Sequence, residues 1–228
     1  YYSRLNTMFY SVSSDTDFRA SNMRLENGTY VFDLTTPDYS IEGIHLLVAG
    51  FHNVENAVAA GAIATQLQIE KAKIRNALSS FRGVKRRFEF IVRNDKTVYI
   101  DDYAHHPREI STFLQSVKEI FPGRKITCIF QPHLYTRTRD FADDFGLSLS
   151  LADEVMLLPI YPARELPIEG VTSEMLLGKI AVKSKKVVDK QHLIGELQHR
   201  QPEVLLTVGA GDIDQLVDPI AKFLEPNV

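Results

Sequence analysis

Two short polar stretches concentrate the side chains able to do chemistry. Asp101-Asp102-Tyr103-Ala104-His105-His106-Pro107 puts two carboxylates, a phenol and two imidazoles within six residues. Asp and His are metal ligands, but chain neighbours rarely converge on one ion. Hydrogen bonding to a sugar, a nucleotide or an amino group suits the set better; the plain alternative is a polar loop. Gln131-Pro132-His133-Leu134-Tyr135-Thr136-Arg137-Thr138 is the second stretch. Here Arg137 can grip a carboxylate through two parallel N–H bonds, and His133 and Tyr135 can orient an amine or hydroxyl. As ordinary helix-start charges, Arg137 and Arg139 would sit at the wrong end of a helix dipole.

Three further stretches carry weaker signals. Asn53 and Asn56, after His52, fall at i and i+3, and Asn is a poor helix-interior residue. A side-chain amide both donates and accepts, as the N6/N7 edge of adenine requires; on spacing alone, capping by His52 or Asn53 is the plainer reading. Arg86 and Arg87, after Gly83, could reach a phosphate or ribose from a hinge, or form a solvated basic turn. Gly209-Ala210-Gly211-Asp212 lacks the third glycine of a dinucleotide fingerprint and reads as a tight turn. No Gly-x-x-x-x-Gly-Lys-Ser/Thr occurs, so no P-loop is present in this sequence.

The elements that must position these residues fall into two groups. Early on, Thr7–Val12, Thr29–Leu34 and Ile41–Val48 read as strands of an antiparallel sheet edge, with a turn at Asn27-Gly28. A helix over His52–Leu67, apolar nearly all round, is expected to be buried, and an amphipathic helix over Ile69–Ser80 follows. A boundary is expected near Gly83 to Phe88. Beyond it strands and helices alternate. The strands are Phe88–Val92, Thr97–Ile100, Lys125–Phe130, Glu154–Pro159, Lys186–Val188 and Val204–Val208. The helices are Pro107–Phe121, Thr138–Leu151, Ser173–Lys179, Gln191–His199 and Asp212–Leu224. In the first of these, Ile110, Phe113, Leu114 and Val117 share one face, and Pro107 suits the first turn. Such alternation implies an α/β fold with a mainly parallel sheet and a site at the carboxyl ends of its strands.

Composition narrows the class. With 228 residues, 44% hydrophobic and 24% charged, the chain can bury a sizeable core. A net charge of -3 gives no general surface for nucleic acid or acidic membrane. No apolar run approaches the roughly 20 residues that span a bilayer. The lone cysteine, Cys128, lies in an apolar run, reads as a buried thiol and demands no oxidising compartment. Tyr1-Tyr2-Ser3-Arg4 has no signal-peptide character, and a start without Met suggests a piece of something longer.

Taken in order, His52-Asn53-x-x-Asn56, Gly83-x-x-Arg86-Arg87-Phe88, Asp101 to Pro107 and Gln131-Pro132-His133-x-Tyr135-Thr136-Arg137 resemble the Mur ligases, over about Asp17 to Asp212. The resemblance implies three domains: UDP-binding, central ATPase and C-terminal Rossmann-like. It makes residues 1–84 the last part of the central ATP-binding domain and 85–228 the C-terminal domain. The UDP-binding domain, the P-loop and the magnesium ligands would then lie upstream of Tyr1, leaving no metal ligand in this chain.

The implied reaction is ATP-driven amide formation through an acyl phosphate, in peptidoglycan-precursor synthesis in the cytoplasm. Its partners would be ATP, Mg2+, UDP-N-acetylmuramate and L-alanine, with neither nucleic acid nor membrane. The Asp-Asp-Tyr-x-His-His-Pro and Pro-His-x-Tyr-Thr-Arg stretches point to the L-alanine-adding branch. A branch that recycles a murein tripeptide shares the first stretch, but the Gln131–Thr138 loop argues against it. Alone, the chain is expected to be inactive, which leaves a non-catalytic nucleotide-binding module as the other alternative.

By the same resemblance, His52, Asn53 and Asn56 belong to the adenine side of an ATP site. Arg87 is its hinge arginine, and Asp101 or Asp102 its ribose-side carboxylate. Tyr103, His105, His133 and Arg137 surround the muramate substrate and L-alanine; no residue is assigned a catalytic step. The chain departs from the family in two places: Leu134 stands where Arg is usual, removing one anion contact, and Arg164 stands where a small residue is usual.

Overall fold

The computed structural model describes residues 7–26, 28–198 and 200–225. The chain folds into two compact units, Tyr1–Gly83 and Val84–Val228. Residues 1–6, Asn27 of the expected turn and His199 at the expected helix end lie outside the described residues.

In the first unit, β1 (Tyr10–Ser11), β2 (Phe18–Glu26), β3 (Thr29–Thr35) and β4 (Ser40–His45) form a sheet in that order. The sheet is antiparallel from β2 to β4, but β1 pairs parallel to β2, which corrects the wholly antiparallel expectation. The sequence pattern misses β2, because most of it faces outward and is polar. It also bends at Asn22, whose φ is +50° and whose amide donates to Asp33 Oδ2 at 2.7 Å. The helices α1 (Phe51–Gln66) and α2 (Lys71–Ser80) follow. Phe18, Phe32, Leu34, Ile44 and Leu46 pack with Val54, Ala57 and Val58 of α1 and with Ile74 of α2. α1 is not buried all round: Ile63 is 64% exposed, and Leu67, just past its end, is 69% exposed, so a single stripe faces this core.

The second unit is built on six strands: β5 (Glu89–Arg93), β6 (Val98–Asp102), β7 (Ile126–Phe130), β8 (Glu154–Leu157), β9 (Ser184–Val187) and β10 (Val204–Val208). Their order is β5-β6-β10-β7-β8-β9, with only β5 antiparallel. All residues of β6, β7, β8 and β10 are buried, as strands covered on both faces must be. Cys128 is among them, and burial pushes its thiol up to about 12.

α3 (Pro107–Ile120) turns Ile110, Phe113, Leu114 and Val117 inward, with Phe113 edge-on to Phe88. Burying such side chains contributes about 1.5–3 kcal/mol each. The one helix expected over Thr138–Leu151 is two, α4 (Tyr135–Asp140) and α5 (Ala142–Leu149). Phe141 leaves helical geometry between them, at φ −115° and ψ 21°. α6 (Ser173–Leu177), α7 (Leu193–Gln198) and α8 (Val217–Leu224) complete the unit, with a 3-10 turn leading into each of the last two. Leu193, Leu197 and Ile220 of the last two helices cover Ile129, Met156 and Leu205 of the sheet.

At the amino edge, Glu154 is 2% exposed and accepts from Thr127 of β7 and Ser184 of β9, with Lys125 and Arg200 balancing its charge. α5 and the end of α6 meet where Gly146 lies. A Cβ there would stand 2.5 Å from the Lys179 carbonyl oxygen and 2.7 Å from Lys179 Cβ. Alanine is normally better than glycine in a helix by about 1 kcal/mol. Here the backbone clash reverses the sign: Gly146→Ala should destabilise by about 1–3 kcal/mol in urea unfolding. A stabilised variant would mean the two helices do not meet this closely.

Candidate functional site

β10 lies between β6 and β7, with Val208 in register with Asp102 on one side and Phe130 on the other. The loops leaving these three strands therefore stand side by side at the carboxyl edge. They are stitched there. Gly209 donates its N–H to the Asp102 carbonyl at 3.1 Å, and Gln131 donates its own to the Val208 carbonyl at 3.0 Å. The buried Gln131 side chain donates to Asp212 Oδ1 and accepts from the Ile213 N–H, both at 2.9 Å. Gly209, at φ +147°, sits where a Cβ would come within 2.8 Å of the Gln131 carbonyl oxygen, so no larger residue fits. The sequence marks Gln131 only as part of a stretch; its tie to Asp212 spans 81 residues, which no local pattern reveals.

Arg86 joins the segment before β5 to this edge. Its Nε donates to Asp101 Oδ2 at 3.0 Å and its guanidinium also donates to the Gly209 carbonyl at 2.5 Å. Thr207 donates to Asp101 Oδ1 at 2.6 Å, so both Asp101 oxygens are engaged in a residue only 1% exposed. Asp102, on the other face, is 7% exposed and accepts from the N–H groups of Phe88 at 2.7 Å and Ala104 at 2.8 Å. Arg86 and Phe88 have left-handed φ of +61° and +48°, a strained arrangement for side chains of this size. Between them Arg87 is exposed, with its guanidinium carbon 5.7 Å from the Tyr103 ring centre.

Past Tyr103 the edge becomes a row of rings. Tyr103 meets His105 at 5.3 Å, His105 meets His133 at 6.2 Å, and His133 stacks on Tyr161 at 5.6 Å. His106 turns away to Phe141 and, with Glu109, forms a capping box on α3. Arg137 approaches His133 Nδ1 to 3.5 Å. Burial first, then the charges of Arg137 and His105, holds the His133 imidazole below its usual value of 6.5, which keeps it neutral. Tyr103, His105, His133 and Arg137 thus come together along one edge.

The loop after β8 forms the far wall. The Leu134 N–H donates to the Tyr161 carbonyl, and Glu165 accepts from the Thr136 N–H and hydroxyl. Glu165 gives no signal in the sequence because it lies 29 residues from its partner. Nothing in the structure explains the arginine at 164.

His52, Asn53 and Asn56 belong to the first unit, at the start of α1. Asn53 Nδ2 donates to the Ala49 carbonyl at 2.6 Å. The His52 ring lies over Gly50, whose φ is +95° and where a Cβ would stand 2.7 Å from Cε1. Asn56 is exposed. Among the described residues no group of three or more His, Cys, Asp and Glu gathers as a metal site.

Burial raises the Asp102 carboxyl from 3.8 to about 6, against the pull of its two N–H donors. The folded state therefore holds this proton more tightly than the unfolded chain. The resulting stability is complete below about pH 4 and is lost as pH rises through about 6. The stability advantage of the protein over its Asp102→Asn variant should fall by up to roughly 3 kcal/mol between pH 4 and 7 in urea titrations. A flat difference would mean Asp102 ionises as it does in water.

Comparison with known proteins follows the same lines. The chain is 45% identical over 218 residues to the UDP-N-acetylmuramate–L-alanine ligase of Flavobacterium johnsoniae, covering 96% of this chain and 49% of that one. It is 50% identical over 213 residues to the ligase of the same name from Flavobacterium psychrophilum, covering 93% and 48%. The chain thus spans about half the length of the curated relatives it matches. Among solved structures, the UDP-N-acetylmuramate-alanine ligase of Thermotoga maritima aligns with a TM-score of 0.77 at 28% identity, over 97% of this chain and 48% of that one. The family model described as Mur ligase, glutamate ligase domain, matches residues 86–211, more than half of the sequence. The chain belongs to the Mur ligase family.

Proposed function

We propose that the chain is the carboxyl-terminal half of an ATP-dependent ligase that joins L-alanine to UDP-N-acetylmuramate in the cytoplasm. The observation that carries this reading is the ring row with Arg137 against its His133, framed by loops from the two strands that flank β10. Relatives at 45% and 50% identity over more than nine-tenths of the chain bear that name. On this reading residues 1–84 complete a central ATP-binding domain, and 85–228 form the C-terminal domain. The described residues include no helix long and apolar enough to cross a membrane.

In the reaction the muramate carboxylate attacks the γ-phosphorus of ATP and ADP leaves. The amine of L-alanine then attacks the acyl phosphate and inorganic phosphate leaves. Such chemistry depends on positioning and charge stabilisation. Arg137 grips the L-alanine carboxylate. The neutral His133 beside it suits an amine that must shed a proton before attacking. Asn53 and Asn56 read the adenine edge. Arg87 reaches the nucleotide, with Asp101 or Asp102 as the carboxylate on its ribose side. The main magnesium ligands are assigned, by the family resemblance, to the half of the ligase that this chain does not span.

The test is phosphate release by the full-length ligase carrying this chain, with ATP, magnesium and UDP-N-acetylmuramate. L-alanine should suffice as acceptor; turnover only with L-alanyl-γ-D-glutamyl-diaminopimelate would make it a tripeptide-recycling enzyme. Arg137→Ala should raise KM for L-alanine by at least about tenfold, while Asn53→Ala should raise KM for ATP and spare L-alanine. An unchanged L-alanine KM in Arg137→Ala would overturn the clamp. The 228 residues alone should release no phosphate.

A further inference from the structure

We propose that Glu165 is a positioning residue that sets the amino-acid end of the site by capping α4 from across the chain. α4 has six residues, starts after Leu134 at φ +72°, and takes no cap from its own side chains. Its first turn also holds no acidic residue of its own to meet the positive end of the helix dipole. Helix starts of this kind leave N–H groups without partners.

Glu165 supplies what is missing. Its Oε2 accepts from the Thr136 N–H at 2.9 Å and its Oε1 from the Thr136 hydroxyl at 2.5 Å. The loop bearing it is itself held. Tyr161 donates its N–H to the Pro132 carbonyl at 2.8 Å and accepts from the Leu134 N–H at 2.9 Å, and Glu165 donates its own N–H to the Pro162 carbonyl at 2.9 Å. His133 stacks on Tyr161, and Ala163 bends the loop at φ +50°. The carboxylate therefore reaches Thr136 from a braced support. Thr136 lies between His133 and Arg137, so the clamp fixes the backbone that aims both. A glutamate here acts on substrate only through these neighbours.

The inference rests on the reading of Arg137 as the L-alanine clamp, and two measurements separate them. In the full-length ligase, Glu165→Ala should raise KM for L-alanine about tenfold, with KM for ATP and for UDP-N-acetylmuramate within about twofold. Glu165→Gln keeps one acceptor oxygen and should fall between. Thr136→Val removes only the hydroxyl bond and should also fall between, and the double variant should be no worse than Glu165→Ala. In the same protein, hydrogen exchange at the Thr136 amide should quicken at least about tenfold in Glu165→Ala. Unchanged exchange, or an equal rise in all three KM values, would overturn the cap. A wild-type enzyme that ignores L-alanine while Thr136 exchange still responds would overturn the function reading and leave the cap standing.

Discussion

β10 enters the sheet between β6 and β7, and the carboxyl edge depends on that insertion. Parallel strands must be joined by crossovers, so chain neighbours need not become sheet neighbours. β6 and β7 are consecutive strands along the chain, yet they touch only through β10. The gap this leaves between their loops is one strand wide. Gly209 fills it with no side chain, bonded to Asp102 and Arg86 and packed against Gln131. Had β6 and β7 paired directly, no floor would separate the Asp102 and Gln131 loops.

Buried polarity follows from the same edge. Asp101 ends up in a nearly dry position because the strand's last residues are covered on both faces. A buried carboxylate is tolerable only when paired and hydrogen-bonded. Arg86 and Thr207 provide that, and in doing so they draw the segment before β5 over the strand ends. The backbone accepts left-handed geometry at Arg86 and Phe88 as a consequence. Of the six non-glycine residues with positive φ among those described, four lie along this edge: Arg86, Phe88, Leu134 and Ala163.

Much of the second unit is legible in the sequence because its strands are continuous apolar runs and its main helix has a clear stripe. Pro107 and Ile110 to Val117 mark α3 almost residue by residue. The first unit is harder to read. β2 is polar and bent, and the apolar residues of α1 suggest a fully covered helix where one face is open. At the site, Tyr103, His105, His133 and Arg137 are legible because they cluster in short stretches next to strand ends. Arg86, Gln131 and Glu165 are not legible in their roles, since each acts through a partner far along the chain. The break at Phe141 is also hidden, as its apolar side chain fits either one helix or two.

The insertion of β10 also has a consequence for the order of assembly. Asp101 and Thr207 are 106 residues apart in the chain, and their bond belongs to the middle of the sheet, not to its rim. During synthesis β6, β7, β8 and β9 all leave the ribosome before the strand that must come between the first pair. Until then β6 and β7 each present an unpaired inner edge, which is the kind of surface that invites wrong pairing. The floor of the site is thus made after everything it supports, and a nascent chain cut short of Val204 has both of its chemical loops and nothing to hold them apart.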